Sequence, residues 1–337
     1  MQLPLRQSCS TSNVFRAACL LAGFALVVRY SYSSLELRST DHAEDFEALV
    51  AEFAQRETRG SSCKRVTVTT VCFAGNEAWR SICQDAFANH QAYTRAQGYG
   101  LRFFDDESLL KGRRPAWYKL PAVISVSRCP GVDLVFWMDA DSLFMDLRRS
   151  LGFLMPRGST SMSFSRDWEN FGDTLAPCSV LNSGHFFLRT GGWGVQLFQK
   201  AWDLYPAPDP QDWFEQSALM YLLGGCRPEC REDLCAGLSQ RVECLKRRPV
   251  PHCETLQPMS QALHNPGCNW SLGVDVRAKG EMNAWVSDFV RGRDQMIQFA
   301  GQSDVMFKVW GMRIFSQRVQ GFTPPPAPPS PPSQGCS

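Results

Sequence analysis

The stretch Val132–Ser142, which reads Val-Asp-Leu-Val-Phe-Trp-Met-Asp-Ala-Asp-Ser, decides how this chain folds. Its apolar run predicts a buried strand that ends at Met138, and Asp139 and Asp141 follow where the strand surfaces. Ligands of open α/β sheets bind at such strand ends. Carboxylates are hard oxygen ligands for Mn²⁺ or Mg²⁺, and these metals bridge nucleotide phosphates. The stretch therefore predicts a nucleotide-sugar site, with a turn capped by Asp as the structural alternative.

The segments on either side of this strand predict an α/β domain. A β-branched strand at 65–73 and a second strand at 101–104 precede it, and helices at 77–97 and 119–126 lie between the strands. This alternation indicates a mostly parallel sheet with crossover helices. Further strands are predicted at 161–164, 184–188 and 296–299, and further helices at 193–204 and 213–223. We place the domain at residues 63–315.

The composition is that of a globular protein. The chain has 337 residues, of which 44% are hydrophobic and 20% are charged, and its formal net charge is +2. This length is enough for one large or two small domains with a substantial core. The basic residues are scattered, whereas nucleic-acid binding favours a concentrated basic face. Nucleic acid is therefore not an expected partner.

Fourteen cysteines are many for a cytosolic enzyme of this size. A cysteine-rich insertion at about 226–268 contains six of them, Cys226, Cys230, Cys235, Cys244, Cys253 and Cys268. Disulfides in an oxidising compartment are the favoured interpretation. Zinc, with His252 as a further ligand, is the alternative, but no Cys-x-x-Cys pair supports it. The glycosylation sequon Asn269-Trp270-Ser271 fits the same compartment.

The N-terminus predicts a route into that compartment. An apolar run at 17–28 lies between Arg16 and Arg29, and residues 14–32 approach the ~20 residues that span a bilayer. Arg6 and Arg16 favour a cytoplasmic segment at 1–13. We therefore expect a signal anchor at 14–32 in a single-pass type II protein. A cleaved signal peptide is the alternative.

Two flanking segments complete the predicted organisation. Residues 33–62 are predicted as a stem, in which Phe46, Leu49, Val50 and Phe53 lie at helical spacing. A helix packed on the domain is an equal alternative for this stretch. Residues 316–337 are predicted as a proline-rich disordered tail.

Four segments, one of which includes the aspartates described above, occur in a characteristic order. They are Ala116-Trp117-Tyr118-Lys119-Leu120-Pro121, Trp137–Asp146, Leu181-Asn182-Ser183-Gly184-His185-Phe186-Phe187-Leu188-Arg189 with Trp193 behind it, and Glu215–Leu223. Together they make residues 65–303 resemble glycosyltransferase family 34. This family comprises galactosyl- and mannosyltransferases of fungi and xyloglucan xylosyltransferases of plants.

The resemblance implies a fold, an activity and a location. The expected fold is the GT-A type, a nucleotide-sugar-binding α/β fold with a mixed, mostly parallel sheet flanked by helices. The expected reaction is metal-dependent transfer, with retention, of a hexose or pentose such as galactose, xylose or mannose. The acceptor would be a polysaccharide or a glycoprotein glycan. The expected location is the Golgi membrane, with a luminal catalytic domain and a Golgi enzyme complex as a candidate partner.

The resemblance also assigns roles to individual residues. Asp139 and Asp141 would hold Mn²⁺ or Mg²⁺ with Gln298, and Glu215, Gln216 and Asn182 would surround the donor sugar as catalytic residues. The donor-binding residues would be Val71, Phe73, Ala74, Lys119, Asp139, Ala140 and Asp141. Of these, Val71 to Ala74 would hold the nucleotide base. His185 is interpreted as a satisfied core histidine rather than a ligand.

Three departures from the family pattern bear on activity. Glu215-Gln216 stands where the family has Asp-Gln, and Gln298 stands where the family has a metal-binding histidine. Ser303 replaces a lysine that faces the diphosphate in the family, and Lys308 and Lys119 are candidate substitutes. These departures motivate an alternative, a weakened or inactive homologue that acts as a sugar-binding or scaffold subunit of a Golgi synthase complex.

Overall fold

The structure is a computed structural model, and it describes ten stretches of the chain. They are residues 46–56, 58–60, 63–158, 160–165, 181–205, 214–224, 274–277, 279–287, 289–299 and 304–319. All of them belong to a compact unit that begins at Asp45. The predicted anchor at 14–32, the cysteine-rich insertion at about 226–268 and most of the tail lie outside the described residues.

The centre of the domain is a six-stranded mixed sheet. Its strands are β1 (Val66–Val71), β2 (Gly100–Phe104), β3 (Leu134–Met138), β5 (Met162–Ser165), β6 (Asn182–Arg189) and β7 (Val274–Arg277). The order across the sheet is β2-β1-β3-β6-β5-β7. Only β6 runs antiparallel to its neighbours. The predicted fold class, an α/β fold with a mixed, mostly parallel sheet flanked by helices, is therefore confirmed.

A second, smaller sheet lies beside the first. It consists of β4 (Ser142–Phe144), β8 (Ala284–Trp285) and β9 (Met296–Gln298), in the order β4-β9-β8. Of these strands, only β9 was predicted from the sequence. Strands of two or three residues are too short for a period-2 pattern to be seen.

Helices cover both faces of the large sheet. They are α1 (Phe46–Gln55), α2 (Glu77–Gln97), α3 (Lys119–Ser127), α4 (Trp193–Trp202), α5 (Phe214–Gly224), the short α6 (Lys279–Met282) and α7 (Val305–Ser316). One buried cluster joins α1, α3, α4 and α5 to one face, and another joins α2 and α7 to the other. This arrangement buries β3 on both sides. A strand covered on both faces reads as a continuous apolar run, as Leu134–Met138 does.

The helix α1 is packed on the domain. Phe46, Leu49, Val50 and Phe53 are all buried in the cluster that contains α3. Glu47 forms two hydrogen bonds with Arg128, which follows α3. Of the two alternatives for this stretch, the packed helix is observed, so residues 46–55 of the predicted stem belong to the domain.

Two disulfides fix the first strand at both ends. Cys63 is bonded to Cys129 across 66 residues, and Cys72 is bonded to Cys83 across 11 residues. By loop-closure entropy they contribute about 4 and about 3 kcal/mol, respectively. Neither pairing was predicted, because each depends on tertiary proximity. The six clustered cysteines for which disulfides were predicted lie outside the described residues. Within the described part of the chain, no helix is both long and apolar enough to cross a membrane.

Candidate active site

The two aspartates lie where the large and small sheets meet. The backbone N–H of Asp139 donates to the carbonyl of Gly184 in β6 at 2.9 Å. The carbonyl of Asp141 accepts from the N–H of Phe299, directly after β9, at 2.9 Å. The start of β6 lies beside the end of β3 because the two strands are antiparallel. Predicted site residues from β3, β6 and β9 are therefore brought to the same edge.

Asp139 is held by three side-chain donors. Its Oδ1 accepts from Trp137 Nε1 at 2.8 Å and from Lys119 Nζ at 3.2 Å, and its Oδ2 accepts from Gln298 Nε2 at 3.0 Å. Burial raises the pKa of Asp139 to about 6, and Asp141 and Glu215 act in the same direction, while Lys119 and Trp137 oppose it. The carboxylate is therefore fixed in place, and the Asp139 side chain is 28% exposed.

Asp141 is paired with a different lysine. Its Oδ2 accepts from Lys308 Nζ at 2.6 Å, and the two side chains are 11% and 12% exposed. Lys308 comes from α7, which was not predicted from the sequence. The Lys308 ammonium also lies 5.6 Å from the ring centroid of Trp79, in the first turn of α2. Lys308 therefore lies at one of the two aspartates predicted to bind the metal, and its cationic role stays a prediction.

Lys119 is buried and contacts Asp139, Glu215 and Ser183. Its Nζ lies 2.7 Å from Glu215 Oε1 and 3.2 Å from Asp139 Oδ1, and it donates to the carbonyl of Ser183 at 3.1 Å. Burial alone would lower the pKa of Lys119, but Asp139 and Glu215 outweigh it and raise that pKa. The side chain is 5% exposed. In this structure Lys119 therefore positions acidic residues, and its contact with the donor stays a prediction.

The predicted catalytic residues of α5 and β6 lie together. Ser183 Oγ donates to Glu215 Oε1 at 2.7 Å, and the Ser183 N–H donates to Gln216 Oε1 at 2.9 Å. The neighbouring Asn182 accepts at Oδ1 from the N–H of Gly184 at 2.6 Å. The second carboxylate oxygen of Glu215, Oε2, is buried without a hydrogen-bond partner among the described residues. Ser183 was not predicted as a site residue, although it stands inside the Asn-Ser-Gly segment that pointed here.

Gly184 is required by the close approach of Gln298. A Cβ atom at this position would lie 2.4 Å from Gln298 Nε2 and 2.8 Å from Gln298 Oε1. The amide of Gln298 therefore lies directly over the glycine, with its nitrogen turned to Asp139. Its oxygen, Oε1, is buried and has no hydrogen-bond partner among the described residues.

The donor set fits a hard divalent cation through oxygen atoms. Asp139 and Asp141 supply carboxylates, and Gln298, whose Nε2 donates to Asp139, has an unpartnered Oε1 as a third candidate oxygen donor. Oxygen donors of this kind suit Mn²⁺ or Mg²⁺. In the described ranges, no group of three or more His, Cys, Asp or Glu residues could hold a metal. The third ligand would therefore be the amide of Gln298.

His185 is buried in the core, as expected, but it is not satisfied. It is fully buried and stacks on Phe136, with ring centroids 6.3 Å apart. Asn283 lies beside the imidazole. Neither ring nitrogen, however, has a partner of good hydrogen-bond geometry among the described residues. Burial lowers the pKa of His185 to about 3, so the ring is neutral.

The predicted base-binding segment lies at the same edge of the sheet. In the pairing of β1 with β3, Thr69 lies opposite Trp137, so Val71 continues that register toward Asp139. Val71, Phe73 and Ala74 are half-buried, while Ala140 is buried. The disulfide between Cys72 and Cys83 ties this segment to α2. The segment therefore has a fixed backbone and side chains that remain partly open to a ligand.

A second buried histidine, His90, connects two segments that lie next to the aspartates. Its Nδ1 lies 3.1 Å from Thr70 Oγ1 and its Nε2 lies 3.1 Å from the carbonyl of Ser142. It thereby links β1 to β4 through α2. Burial lowers the pKa of His90 to about 4, although the hydrogen bond to Ser142 opposes the shift.

We expect acid to destabilise the domain through His90. Below about pH 6.5 the unfolded chain takes up a proton at this ring, whereas the folded protein resists protonation down to about pH 4. The protonation of His90 therefore costs no stability above about pH 6.5. As the pH drops below this value, the free energy of unfolding falls, by about 2 kcal/mol at pH 5. Urea unfolding of wild type and His90→Gln at pH 7 and pH 5 measures it.

Between pH 7 and pH 5, the free energy of unfolding of His90→Gln should fall by about 2 kcal/mol less than that of wild type. His185 acts in the same direction as His90, and the raised pKa of Asp139 acts in the opposite direction. Both residues are present in each protein, so their effects cancel in the comparison. An equal pH-dependent loss in both proteins would contradict this role of His90.

Comparison with known proteins gives one match by sequence family. The sequence profile of the galactosyl transferase GMA12/MNN10 family matches residues 63–157. This segment contains β1 to β4, Lys119 and both aspartates. No curated protein matches the chain.

Solved structures with a similar arrangement are distant in sequence. A glycosyltransferase involved in the glycosylation of the major capsid of PBCV-1 is 12% identical with a TM-score of 0.49, covering 75% of this chain and 99% of that one. The glycosyltransferase GlyE of Streptococcus pneumoniae TIGR4 is 12% identical with a TM-score of 0.36, covering 76% of this chain and 60% of that one. The fold assignment therefore rests on the strand order. The profile match confirms the resemblance to glycosyltransferase family 34 over residues 63–157 and, with it, the expected class of enzyme, a glycosyltransferase.

Proposed function

We propose that this chain transfers a hexose or pentose, such as galactose, xylose or mannose, from a nucleotide sugar to a glycan acceptor with retention. The observation that carries the proposal is the convergence of Asp139, Asp141, Glu215, Gln216 and Asn182 at one edge of the sheet. Retention and the range of sugars rest on the family resemblance. The acceptor is a polysaccharide or a glycoprotein glycan.

Each part of the site has a role in this reaction. A bound Mn²⁺ or Mg²⁺ would be held by Asp139, Asp141 and Gln298 and would supply Lewis-acid stabilisation of the departing diphosphate. The half-buried segment from Val71 to Ala74 takes the nucleotide base. Lys119 holds the carboxylates in position, so they need not reorganise during the reaction.

Glu215 and Gln216 face the donor sugar. Lys119 and Ser183 hold one carboxylate oxygen of Glu215, and the other oxygen is buried without a hydrogen-bond partner among the described residues. The charge of Glu215 would also stabilise positive charge that develops on the sugar ring. Gln216 accepts from the Ser183 N–H, so its amide nitrogen is the end that donates to the sugar. Positioning and electrostatics are thus the main contributions of the protein.

The compartment that we propose is the Golgi lumen, with a type II anchor at residues 14–32. The two disulfides support an oxidising environment, because such bonds are rare in the cytosol. An accompanying proposal is association with other Golgi enzymes.

A donor screen on the purified protein tests the proposed function. UDP- and GDP-sugars are incubated with Mn²⁺ and a set of glycan acceptors, and both transfer and hydrolysis are measured. Turnover of at least one donor is expected, and it should be lost on chelation of the metal. The screen also identifies the donor for the variants discussed below.

The alternative is a weakened or inactive homologue that serves as a sugar-binding or scaffold subunit. It is favoured by Gln298, a neutral ligand, and by the lysines that already neutralise both aspartates. Saturable binding of a nucleotide sugar, without transfer or hydrolysis of any donor, would favour this alternative over the enzyme.

A further inference from the structure

A cavity lies at the end of the small sheet that is farther from the two aspartates. Its volume is about 260 Å³, and it is bounded by the residues after β4, the residues after β8 and the C-terminal end of α7. In the ladder of β4 with β9, Asp141 bonds to Phe299 at one end and Met145, which lines the cavity, bonds to Gln295 at the other. Four residues of strand separate Asp141 from Met145, or about 13 Å. The cavity is therefore separate from the candidate active site.

The backbone around the cavity is held by hydrogen bonds. In the turn before β9, the Val290 N–H donates to Asp294 Oδ2 at 2.6 Å, and the Asp294 N–H donates to the carbonyl of Val290 at 3.0 Å. Gln295 Nε2 donates to the carbonyls of Asp146 and Arg149 at 2.9 and 3.0 Å. None of these bonds uses the side chain of an arginine. The arginine side chains at the cavity can therefore be changed while these bonds remain.

Three arginines line the cavity, and two of them have unpaired guanidinium groups. Arg149 lies over the ring of Phe153 and donates to the carbonyl of Arg293 at 2.7 Å. Arg291 and Arg318 are exposed, and among the residues that the structure describes their guanidinium groups have no hydrogen-bond or ion-pair partner. Two cationic groups at the cavity are therefore available to a ligand.

The two carboxylates at the cavity are already paired. The side chain of Asp294 is 0% exposed and accepts from Arg293 Nε at 2.6 Å and from Arg293 Nη2 at 3.0 Å. Asp146 accepts from the N–H of Arg148 at 3.0 Å and from its Nε at 3.2 Å. Arg293 and Arg148 are not among the described residues that line the cavity. The charges of the three lining arginines are therefore left largely uncompensated.

The remaining wall of the cavity is apolar. It is formed by Met145, Val286, Phe289 and Phe315, and the rings of Phe289 and Phe315 meet edge to face with centroids 6.1 Å apart. The cavity thus combines a cationic rim with an apolar wall. A ligand that fits both has an anionic group at one end and an apolar surface at the other.

Charge and volume narrow the class of ligand. Guanidinium groups bind phosphate and carboxylate oxygens through paired N–H donors. Three arginines around one cavity favour a doubly charged group over a carboxylate, and a phosphate monoester carries a charge of about −1.5 to −2 at pH 7. Pockets for drug-sized ligands have volumes of about 300–1,000 Å³, so a cavity of about 260 Å³ takes a smaller molecule.

We propose that this cavity binds a small, soluble phosphate monoester. Arg291, Arg318 and Arg149 hold the phosphate, and the organic part packs against Phe289 and Phe315. The cavity uses no residue of the proposed metal and donor site, so this inference is independent of the proposed function. The ligand contacts both α7 and the small sheet, and its binding therefore stabilises the domain where these elements meet.

Calorimetric titration of the detergent-solubilised full-length protein, with EDTA present, tests the class of ligand. Phenyl phosphate is the probe, inorganic phosphate lacks its apolar part, and benzenesulfonate keeps the ring but has a single charge. Phenyl phosphate should bind at least about threefold more tightly than inorganic phosphate, because the ring is buried. It should bind at least about tenfold more tightly than benzenesulfonate, because the arginines meet a larger charge.

Variants test the place of binding. The double variant Arg291→Gln/Arg318→Gln should bind phenyl phosphate at least about tenfold more weakly than wild type, because two charge-assisted hydrogen bonds are lost. Its urea unfolding should match that of wild type, since neither guanidinium has a partner in the described part of the chain. Arg95→Gln is the matched control, because Arg95 is an exposed arginine in the last turn of α2 that does not line the cavity. Arg95→Gln and Lys308→Gln should both bind phenyl phosphate like wild type.

Four results would overturn the proposal. Wild type that binds no phenyl phosphate, or a double variant that binds it like wild type, would show that the arginines do not form a phosphate site. Equal affinity for phenyl phosphate and inorganic phosphate would remove the role of the apolar wall. Loss of binding in Lys308→Gln would place the anion at Asp141 instead of in the cavity. Sugar transfer is tested separately by the donor screen, so none of these results decides the proposed function.

Discussion

Asp141→Asn should lower the rate of sugar transfer by at least about 10³-fold while the domain stays folded. The substitution keeps the size of the side chain and removes a charge on which the proposed metal depends. A loss of this size corresponds to about 4 kcal/mol of transition-state stabilisation, the order that a lost charge-stabilising group costs. The backbone carbonyl of Asp141, which accepts from Phe299, is unchanged. Initial rates with the donor found in the screen, together with thermal unfolding, measure both properties.

Asp146→Asn is the matched control for this experiment. Asp146 follows β4, is 28% exposed and pairs with Arg148 rather than with a site residue. It should transfer sugar at nearly the wild-type rate. Near-normal turnover by Asp141→Asn, with Mn²⁺ present, would show that the metal and donor site has been assigned to the wrong residues.

Lys119→Met should destabilise the domain by about 3–5 kcal/mol, the cost of removing one partner from a buried ion pair. Lys119 and Glu215 are 5% and 2% exposed, so the carboxylate of Glu215 would be left buried without its cation. Loss of transfer should accompany the loss of stability, because Asp139 and Glu215 both lose their support. Urea unfolding at pH 7 gives the free energy of unfolding.

Two further variants make this prediction specific. Lys200→Met removes a lysine that is 33% exposed and lies 3.5 Å from Asp203, and it should cost at most about 1 kcal/mol. Lys119→Met combined with Glu215→Gln should recover part of the stability, because no charge is then buried at Glu215. If the double variant loses as much free energy of unfolding as the two single variants together, Lys119 and Glu215 are not coupled.

The balance of charge explains why the departures from the family need not abolish function. Asp139, Asp141 and Glu215 bring three carboxylates to one edge, and Lys119 and Lys308 bring two ammonium groups. Gln298 adds no charge, but its nitrogen donates to Asp139, and its unpartnered oxygen would be a ligand of the proposed metal. The replaced lysine at Ser303 lies outside the described residues, and Lys308 supplies a cation in its neighbourhood along the chain.

The sequence alone determined the main elements of the fold and the edge of the sheet at which the candidate site residues lie. The apolar run Leu134–Met138 predicted the central strand because a strand buried on both faces has no polar alternation. Helical periodicity and the turn at Asn76 predicted α2 with the bounds that are observed, Glu77–Gln97. The position of Asp139 and Asp141 after β3 predicted the edge of the sheet at which the candidate site residues come together. These features are local, so neighbouring residues are sufficient to specify them.

Only the tertiary structure decided which side chains meet. Lys308 and Asp141 are 167 residues apart, and Gln298 and Asp139 are 159 apart. The pairing of Cys63 with Cys129 likewise depends on where β1 and the end of α3 come to lie. The strands β4 and β8 are too short to have a pattern, and they exist because β9 offers them hydrogen-bonding partners. Contacts of this kind depend on how the whole chain packs, since the pattern around any one residue does not specify its distant neighbours.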